Sequence, residues 1–257
     1  MPSFFSDVDR LSLLTLNCLN LKPAKLGSWL THYKHPSQIL DNLCENTVSS
    51  KQIQTARKIA ERELVEVEKN SFTILYYGET SYPKLLTEIP DPPPVLYLWG
   101  SIPTQSAITL VGTRRPSPYG LTTAEDFSAS LTKNGICIVS GLATGIDQSV
   151  LQSAVDANGS ALAVLGSGLL NIYPKGNISL AKKIVETGGG VISEFGLHIG
   201  LMKQNFPRRN RIMAAIASGV CVIEAPERSG ALITARLACD YNRLVWAVPN
   251  MITSRSF

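Results

Sequence analysis

From residue 107 onward, short apolar runs alternate with segments of helical length, and no other feature constrains the fold of this chain as strongly. The intervening segments include Thr122–Lys133 and Ile146–Ala157. Continuous apolar strands joined by helical crossovers predict a parallel sheet that is covered on both faces. We therefore predict an α/β fold with a mostly parallel, doubly wound sheet. The predicted strands are Ala107–Val111, Cys137–Ser140, Ala161–Leu165, Gly190–Ser193, Gly219–Ile223 and Leu244–Val248.

Residues 1–70 predict a small all-α N-terminal domain. Apolar patterns of helical period begin at Leu11 and around Leu26, and a third helix is expected over Ser37–Leu43, with Pro36 just before its first turn. The clearest pattern lies in residues 51–69, which predict an amphipathic helix. Its expected apolar face consists of Ile53, Ala56, Ile59, Ala60 and Leu64.

Residues 71–106 read as a linker with lead-in strands. Ser71–Tyr77 and Val95–Gly100 are strand-like, and the proline-rich stretch Ile89–Pro94 between them excludes regular structure, because proline lacks a backbone donor. The predicted sheet domain then covers 107–250. Residues 251–257 read as a tail, and no C-terminal winged-helix domain is expected after it.

Charge and composition exclude several classes of protein. Residues 101–257, which include the sheet domain, hold 14 Lys/Arg against 9 Asp/Glu, a net charge of +5 that permits a polyanionic partner. The five cysteines are widely spaced without a C-x-x-C pair and predict buried, reduced thiols. Only three histidines are present, so no metal site is expected. Without a signal peptide or an apolar span, we expect a soluble, cytoplasmic protein with no membrane contact.

The residues that follow the predicted strands form a candidate ligand site. In an open parallel sheet, ligands bind beyond the carboxyl ends of the strands, where glycines let the backbone approach a ligand and helices begin. Cations accompany three of these loops and can hold phosphate. We therefore predict one concave, positively charged surface for an anionic ligand. Its candidate residues are Gly112, Arg114, Arg115, Ser140, Gly141, Gly166, Ser167, Gly168, Lys175, Lys203, Arg208, Arg209, Asn210 and Arg211.

Four further residues are expected to support this surface. Asp147 opens a helix, either as a cap or first-turn acid or as a ligand contact. Glu224 ends a buried strand and is expected to pair with an arginine or backbone donors and to order the Arg208–Arg211 segment. Ser229 and Thr234 are expected to cap the last helix. Three aromatic residues are candidates to stack on bases, or else pack in the core: Tyr119, Tyr173 and Phe206.

A series of motifs over residues 70–250 resembles the DNA-processing protein A (Smf) family. Their order and spacing are similar to those of the family. The motifs are Tyr82-Pro83, Asp91-Pro92-Pro93, Val111-Gly-Thr-Arg-Arg-Pro-Ser117, Ser140-Gly-Leu-Ala-x-Gly-Ile-Asp147, Tyr173-Pro174, Ser193-Glu194, Phe206-Pro-x-Arg-Asn-Arg-Ile212 and Ser229-Gly-x-Leu-Ile-Thr-Ala235.

The resemblance implies an extended Rossmann fold that binds single-stranded DNA without strict sequence preference. It implies a role in natural transformation, in which the protein protects incoming strands and helps to load the RecA recombinase. A homodimer without enzymatic activity and without a cofactor is implied as well. Carried onto this sequence, the DNA-binding residues would be Arg114, Arg115, Ser140, Gly141, Lys175, Arg208, Asn210 and Arg211.

The sequence departs from the family at two places. Val150-Leu151 stands where members usually have Ala-His, and Val248-Pro249-Asn250 replaces the usual Pro-Gly ending. Two other functions stay open. The first is a nucleotide-binding or phosphoribohydrolase-type enzyme with Glu194 or Glu224 as its carboxylate, although the Pro-Gly-Gly-x-Gly-Thr loop is missing. The second is an interaction scaffold in which the sheet edge or the last helix pairs protomers or recruits recombinase.

Overall fold

The computed structural model describes residues 6–33 and 35–249 of the chain. The predicted tail, residues 251–257, lies outside these residues. Between Asp7 and Asp240, helices and strands follow the order that the sequence predicts, with a helical N-terminal part and then an alternating α/β part.

Local sequence signals start the N-terminal helices. Ser6 and Asp9 form a capping box at the first helix, and Ser49 and Gln52 form another at the fourth. The second and third helices each begin with a proline, a residue whose fixed φ suits the first turn. These helices are α1 (Asp7–Cys18), α2 (Pro23–His32), α3 (Pro36–Asn46) and α4 (Ser50–Lys69).

The predicted apolar face of α4 is wrong at Ile59, which is 42% exposed. The buried face runs through Ala56, Ala60 and Val67, and it includes the carboxylate of Glu63. Glu63 Oε2 accepts a hydrogen bond from the backbone N–H of Leu197 at 3.0 Å, so this buried acid joins α4 to the sheet domain. Burying a carboxylate is costly unless it has a hydrogen-bond partner. The bond to Leu197 provides that partner, so Glu63 can lie on the buried face although the apolar pattern of the helix does not predict it.

The described strands form a single sheet in the order β1-β2-β6-β5-β4-β3-β7-β8. Strands β3 to β8 are parallel, whereas β2 pairs antiparallel with both β1 and β6. The mostly parallel, doubly wound sheet is thereby confirmed, with strand ends within one residue of those predicted from 107 onward. The strands are β1 (Thr73–Tyr76), β2 (Val95–Gly100), β3 (Ala107–Val111), β4 (Cys137–Ser140), β5 (Ala161–Val164), β6 (Gly190–Ser193), β7 (Gly219–Val222) and β8 (Leu244–Ala247).

Helices cover both faces of this sheet. One apolar cluster packs the N-terminal helices together with the helices that follow β4 and β5, and it includes Leu13, Leu16 and Tyr97. A second cluster lies on the opposite face and includes Ile212 and Ala238 from the last two helices. The helices of the sheet domain are α5 (Pro118–Lys133), α6 (Ile146–Asp156), α7 (Ile178–Glu186), α8 (Asn205–Ile216) and α9 (Gly230–Asp240).

Strand β8 is an exception to the predicted burial. It lies at the edge of the sheet, and all four of its residues are exposed. Leu244 is 61% exposed and Trp246 is 42% exposed. Within the described residues, this strand therefore presents apolar side chains and one unpaired edge to the surroundings.

The cysteines only partly follow the prediction of buried thiols. Cys137 and Cys221 are buried, whereas Cys44 and Cys239 are exposed, and all five are free. Burial raises the pKa of Cys137 and Cys18 to about 12.

The described helices include none that is long and apolar enough to cross a membrane. Among residues 6–33 and 35–249, no cluster of three or more His, Cys, Asp or Glu side chains is placed to hold a metal ion.

Candidate functional site

The carboxyl ends of β3 to β7 meet at one edge of the sheet, and a cavity of about 290 Å³ opens there. The loops after β3, β4 and β7 line it together with the start of α8. Predicted site residues and their neighbours therefore share one recess. Its lining includes Gly112, Thr113, Arg114, Ala143, Asp147, Arg209, Asn210, Ser229, Gly230 and Thr234.

The first loop, which follows β3, is bonded through its backbone to Glu224 after β7 and to the start of α6. The N–H of Thr113 donates to the carbonyl of Glu224 at 2.7 Å, and Thr113 O accepts from the N–H of Ile146 at 3.1 Å. A side chain at Gly112 would place its Cβ 2.5 Å from Ile146 Cγ1, so the position needs glycine. Arg114 and Arg115 are exposed beyond this anchor.

Glu224 has a different role from the predicted one. Its Oε2 accepts hydrogen bonds from the backbone N–H and the hydroxyl of Ser117, both at 3.0 Å. Ser117 is also the N-cap of α5 and accepts from the N–H of Gly120. The predicted pairing with a backbone donor is confirmed, but Glu224 orders the first loop and the start of α5, not the Arg208–Arg211 segment.

The second loop presents small residues and backbone. The Ser140 hydroxyl is buried and donates to the carbonyl of Leu110 at 2.7 Å. Gly141 lies directly against the Arg209 guanidinium, where a Cβ would clash. Gly145, at a φ of 84°, is the N-cap of α6. A left-handed backbone favours glycine at this cap.

Asp147 and Arg209 are buried, oppositely charged side chains that both line the cavity. Asp147 lies in the first turn of α6, which confirms one of its two predicted roles. Burial raises the pKa of Asp147, while Arg209 opposes that rise. Burial also lowers the pKa of Arg209 to about 10. Arg209 Nη1 donates to the carbonyl of Val164 at 2.9 Å, and its Nε has no hydrogen-bond partner among the described residues.

The basic segment Phe206–Arg211, predicted among the loops that follow the strands, is helical instead. Phe206 to Arg211 form the first turns of α8, and Pro207 fits because its missing N–H falls in the first turn. Within the helix, Arg208 and Arg211 form ion pairs with acids of other segments. Asn210 donates to the carbonyl of Gly230 at 3.2 Å and so joins α8 to the last helix.

Glu194 is the partner that fixes these arginines. Its Oε2 lies 3.0 Å from Arg208 Nε and 2.5 Å from Arg211 Nη2. Arg211 also donates from Nη1 to the carbonyl of Asp91 at 2.7 Å. Arg208 Nη1 donates to Asn20 Oδ1 at 2.7 Å, which connects α8 to the N-terminal helices. Glu194 directly follows β6 and precedes the arginine-rich segment in the chain. Its negative charge is the feature of the sequence that indicates this pairing.

The third loop, which follows β5, contains two closely packed residues and one residue that is open towards the Phe206 ring. Ser167 is buried, and its carbonyl accepts from the Ser193 hydroxyl at 2.8 Å. Gly168 is pressed against the carbonyls of Gly196 and Leu197, so its role is close packing. Gly166 is open towards the Phe206 ring, with 3.5 Å from an added Cβ to Cδ1.

A smaller cleft of about 50 Å³ brings an aromatic surface next to the loops. The Arg114 guanidinium lies over the Phe206 ring, 4.9 Å from its centroid. Tyr173 is exposed at the same cleft, whereas the Tyr119 hydroxyl points to the carbonyl of Pro249. The cleft is lined by Arg114, Gly141, Ala143, Thr144, Gly166, Ser167, Tyr173, Pro174, Leu201 and Phe206.

Lys175, Ser229 and Thr234 complete the predicted set. Lys175 is exposed in a 3₁₀ turn that Asn177 ties to the second loop through a 2.9 Å hydrogen bond to the carbonyl of Leu142. Ser229 caps α9, as predicted. Thr234 does not cap it, since its hydroxyl donates to the carbonyl of Gly230 within the helix. Its buried side chain lines the larger cavity.

The structure thus separates the predicted residues into two groups. Arg114, Gly141 and Gly166 face the recesses, and Arg115 and Lys175 are exposed cations on adjoining loops. Gly168, Arg208 and Arg211 line neither recess. Sequence reasoning did not single out Thr113, Ala143, Thr144 and Leu201, whose small or apolar side chains carry no charge signal.

A larger groove of about 670 Å³ lies elsewhere, between α1, α4 and the segment after β6. It is mostly apolar, with Ile59, Ile199 and Met202 in its lining. The glycine loops that follow β3, β4 and β5 do not line this groove.

The fold and the site define a class: a Rossmann-like α/β protein with a loop-lined recess at the carboxyl edge of its sheet. A family model described as DNA recombination-mediator protein A matches residues 73–257. The chain belongs to this family.

Similar proteins agree with this assignment. The chain is 42% identical over 193 residues to protein Smf of Synechocystis, covering 73% of this chain and 48% of that protein. It is 34% identical to protein Smf of Escherichia coli, covering 89% of this chain and 62% of that protein. It is 32% identical to the DNA processing protein DprA of Bacillus subtilis, covering 94% and 84%. The chain therefore spans about half to five sixths of the length of these relatives.

Two solved structures share the architecture. DNA processing protein A of Streptococcus pneumoniae superposes with a TM-score of 0.72 at 28% identity, covering 95% of this chain and 84% of that one. The Helicobacter pylori protein superposes with a TM-score of 0.64 at 29% identity, covering 71% and 82%. The latter structure is described by its single-stranded DNA binding mode.

Proposed function

We propose that this protein binds single-stranded DNA at the carboxyl edge of its sheet, without catalysis. In natural transformation it would protect incoming strands and help to load a RecA-type recombinase. Family membership and the single-stranded DNA binding of the Helicobacter pylori relative support the proposal. The observation that carries it is the convergence of the loops after β3, β4 and β7 on one recess with exposed cations beside it.

Backbone N–H groups and helix dipoles make this recess suitable for binding phosphate. The helices α6 and α9 begin beside it, with Asp147 in the first turn of one and Ser229 as the cap of the other. Helix starts present backbone N–H groups and a partial positive charge to an anion. The Phe206 ring under Arg114 adds a surface on which a base can stack.

The phosphate-neutralising cations in this proposal are Arg114, Arg115 and Lys175. All three are exposed, and no ion pair involves them among the described side chains. Arg208 and Arg211, in contrast, are already paired with Glu194. A charge that is compensated inside the protein contributes little to the attraction of a polyanion.

The ion-pair and hydrogen-bond partners of Glu194 and Glu224 are evidence against the hydrolase alternative. Glu194 is 1% exposed and paired with two arginines, and Glu224 accepts from Ser117. Neither carboxylate faces the recess as a free base. A general base must reach the proton that it abstracts, so binding fits this geometry better than hydrolysis.

Replacing Arg115 and Lys175 together by alanine is expected to weaken binding of single-stranded DNA by roughly 10-fold at moderate salt, with the fold unchanged. Each lost phosphate contact should also make the dependence of log K on log salt shallower by about 0.7. Fluorescence anisotropy with labelled single- and double-stranded oligonucleotides over a salt series measures both quantities.

The matched control is Lys182→Gln with Lys183→Gln, which removes the same charge from the exposed side of α7. Wild-type affinity in the Arg115→Ala/Lys175→Ala protein would refute the proposed site. A wild-type protein that binds no single-stranded DNA at low salt, but does bind a nucleoside monophosphate, would favour the hydrolase alternative.

We further propose that the chain forms a homodimer through β8. The support is the edge of this strand, which no strand of the described residues pairs with, its exposed Leu244 and Trp246, and the exposed Phe127 of α5 nearby. Substituting Leu244→Glu is expected to shift the protein towards monomer, because two like charges would face each other at the interface. Sedimentation velocity over a concentration series checks this, and an unchanged sedimentation coefficient at every concentration would contradict it.

A further inference from the structure

The N-terminal helices carry exposed lysines that the proposed DNA site does not use. Between Asp9 and Asp41 the sequence contains no Asp or Glu, while Lys22 and Lys25 occur in this stretch and are exposed. They stand at the N-cap and in the first turn of α2. This surface is therefore complementary to a polyanion.

Helix α2 lies at the same edge of the sheet as the proposed site. Its Gly27 packs against the carbonyl of Pro90, a close approach that leaves no room for a side chain. The next residue, Asp91, binds Arg211 of α8. Because β2 runs antiparallel to β6, with Tyr97 opposite Ser193, the segment before β2 lies at the carboxyl end of β6. The packing of Gly27 thus places α2 beside the start of α8.

An aromatic ring accompanies the lysines on α2. Lys25 Nζ lies over the Trp29 ring, 4.8 Å from its centroid, and Trp29 is half-buried. The Lys25 side chain therefore lies against one face of the indole. When that lysine moves to a phosphate, the ring face becomes free to stack on a base, which is the combination of groove charge and stacking that single-strand binders use.

Arg208 connects the start of α8 to the segment that precedes α2. Its Nη1 binds Asn20 Oδ1 at 2.7 Å, and Lys22 follows Asn20 by two residues. Two residues of chain span at most about 7 Å. A strand that leaves the recess along the start of α8 therefore meets Lys22 next.

We propose that the outer face of α2, formed by Lys22, Lys25 and Trp29, is a second contact for the same single-stranded DNA. This inference rests on the proposed function of the sheet edge. A strand long enough to reach α2 gains contacts there, whereas a short one occupies the recess alone.

The test compares Lys22→Gln/Lys25→Gln with wild type on oligothymidylates of about 6 and about 20 nucleotides. The double variant should bind the longer strand roughly 10-fold more weakly at moderate salt, with a salt dependence shallower by about 1.4, and the shorter strand with unchanged affinity. The control Lys182→Gln/Lys183→Gln removes the same charge from α7 and should leave both affinities near wild type.

The outcomes separate the two proposals. If wild type binds neither oligonucleotide, the proposed function of the sheet edge fails. If wild type binds both and the variant matches it on the longer strand, only the contact on α2 is refuted. An equal loss in the α2 and α7 variants would show a general charge effect and would also refute it.

Discussion

Replacing Glu194 by glutamine is expected to lower the free energy of unfolding by about 3 kcal/mol. The carboxylate is buried and pairs with Arg208 and Arg211, so its loss leaves two guanidinium groups with a neutral acceptor inside the protein. For a chain of this size, the melting temperature should fall by roughly 6–12 °C. Urea denaturation and a thermal melt measure the two effects.

The control is Glu61→Gln, the same chemical change at an exposed ion pair with Arg57 on α4. Exposed pairs contribute about 0–1 kcal/mol, so this variant should unfold close to wild type. Equal stability of the Glu194 and Glu61 variants would show that the arginines of α8 do not depend on Glu194.

Gly141→Ala is expected to destabilise the protein by about 3 kcal/mol, although it adds only one methyl group. The new Cβ would occupy the place of the Arg209 guanidinium. Arg209 is buried, so moving it breaks the hydrogen bond to the Val164 carbonyl and leaves a buried charge without that acceptor. Chemical denaturation gives the stability, and near-ultraviolet circular dichroism reports the packing.

A matched substitution is available in the neighbouring loop. In Gly166→Ala the new Cβ would meet Phe206 Cδ1 at 3.5 Å, an ordinary van der Waals contact. This variant should lose less than about 1 kcal/mol. If Gly141→Ala is no less stable than Gly166→Ala, the close approach of Arg209 to the second loop is not a constraint on folding.

The central strands could be predicted from sequence because both of their faces are buried. An apolar run such as Ile138–Val139 between glycine-rich loops has few alternatives to a parallel strand. Strand β8 has an equally apolar sequence, yet all of it is exposed. Apolar composition indicates which faces can be buried, but not which faces the chain itself covers.

The direction of the α8 side chains could not be predicted in the same way. Arg208 and Arg211 stand in an acid-free segment, which suggested a basic surface. Their partners are Glu194, which directly follows β6, and Asp91 before β2, which is 120 residues away from Arg211 in sequence. Only the tertiary fold brings such acids to the helix. The glycine loops, in contrast, were located correctly because strand ends fix their positions.

The apolar cluster that joins α1 to the sheet limits which segments can be exchanged between relatives of this protein. Leu13 and Leu16 share one cluster with Tyr97, and Glu63 binds the backbone of Leu197 across the same boundary. A helical segment transplanted from a relative would bring side chains shaped for another sheet surface. In gene shuffling within the family, the first 70 residues should therefore be inherited together with the strand–loop segments that they touch, and residues on the two sides should change in concert.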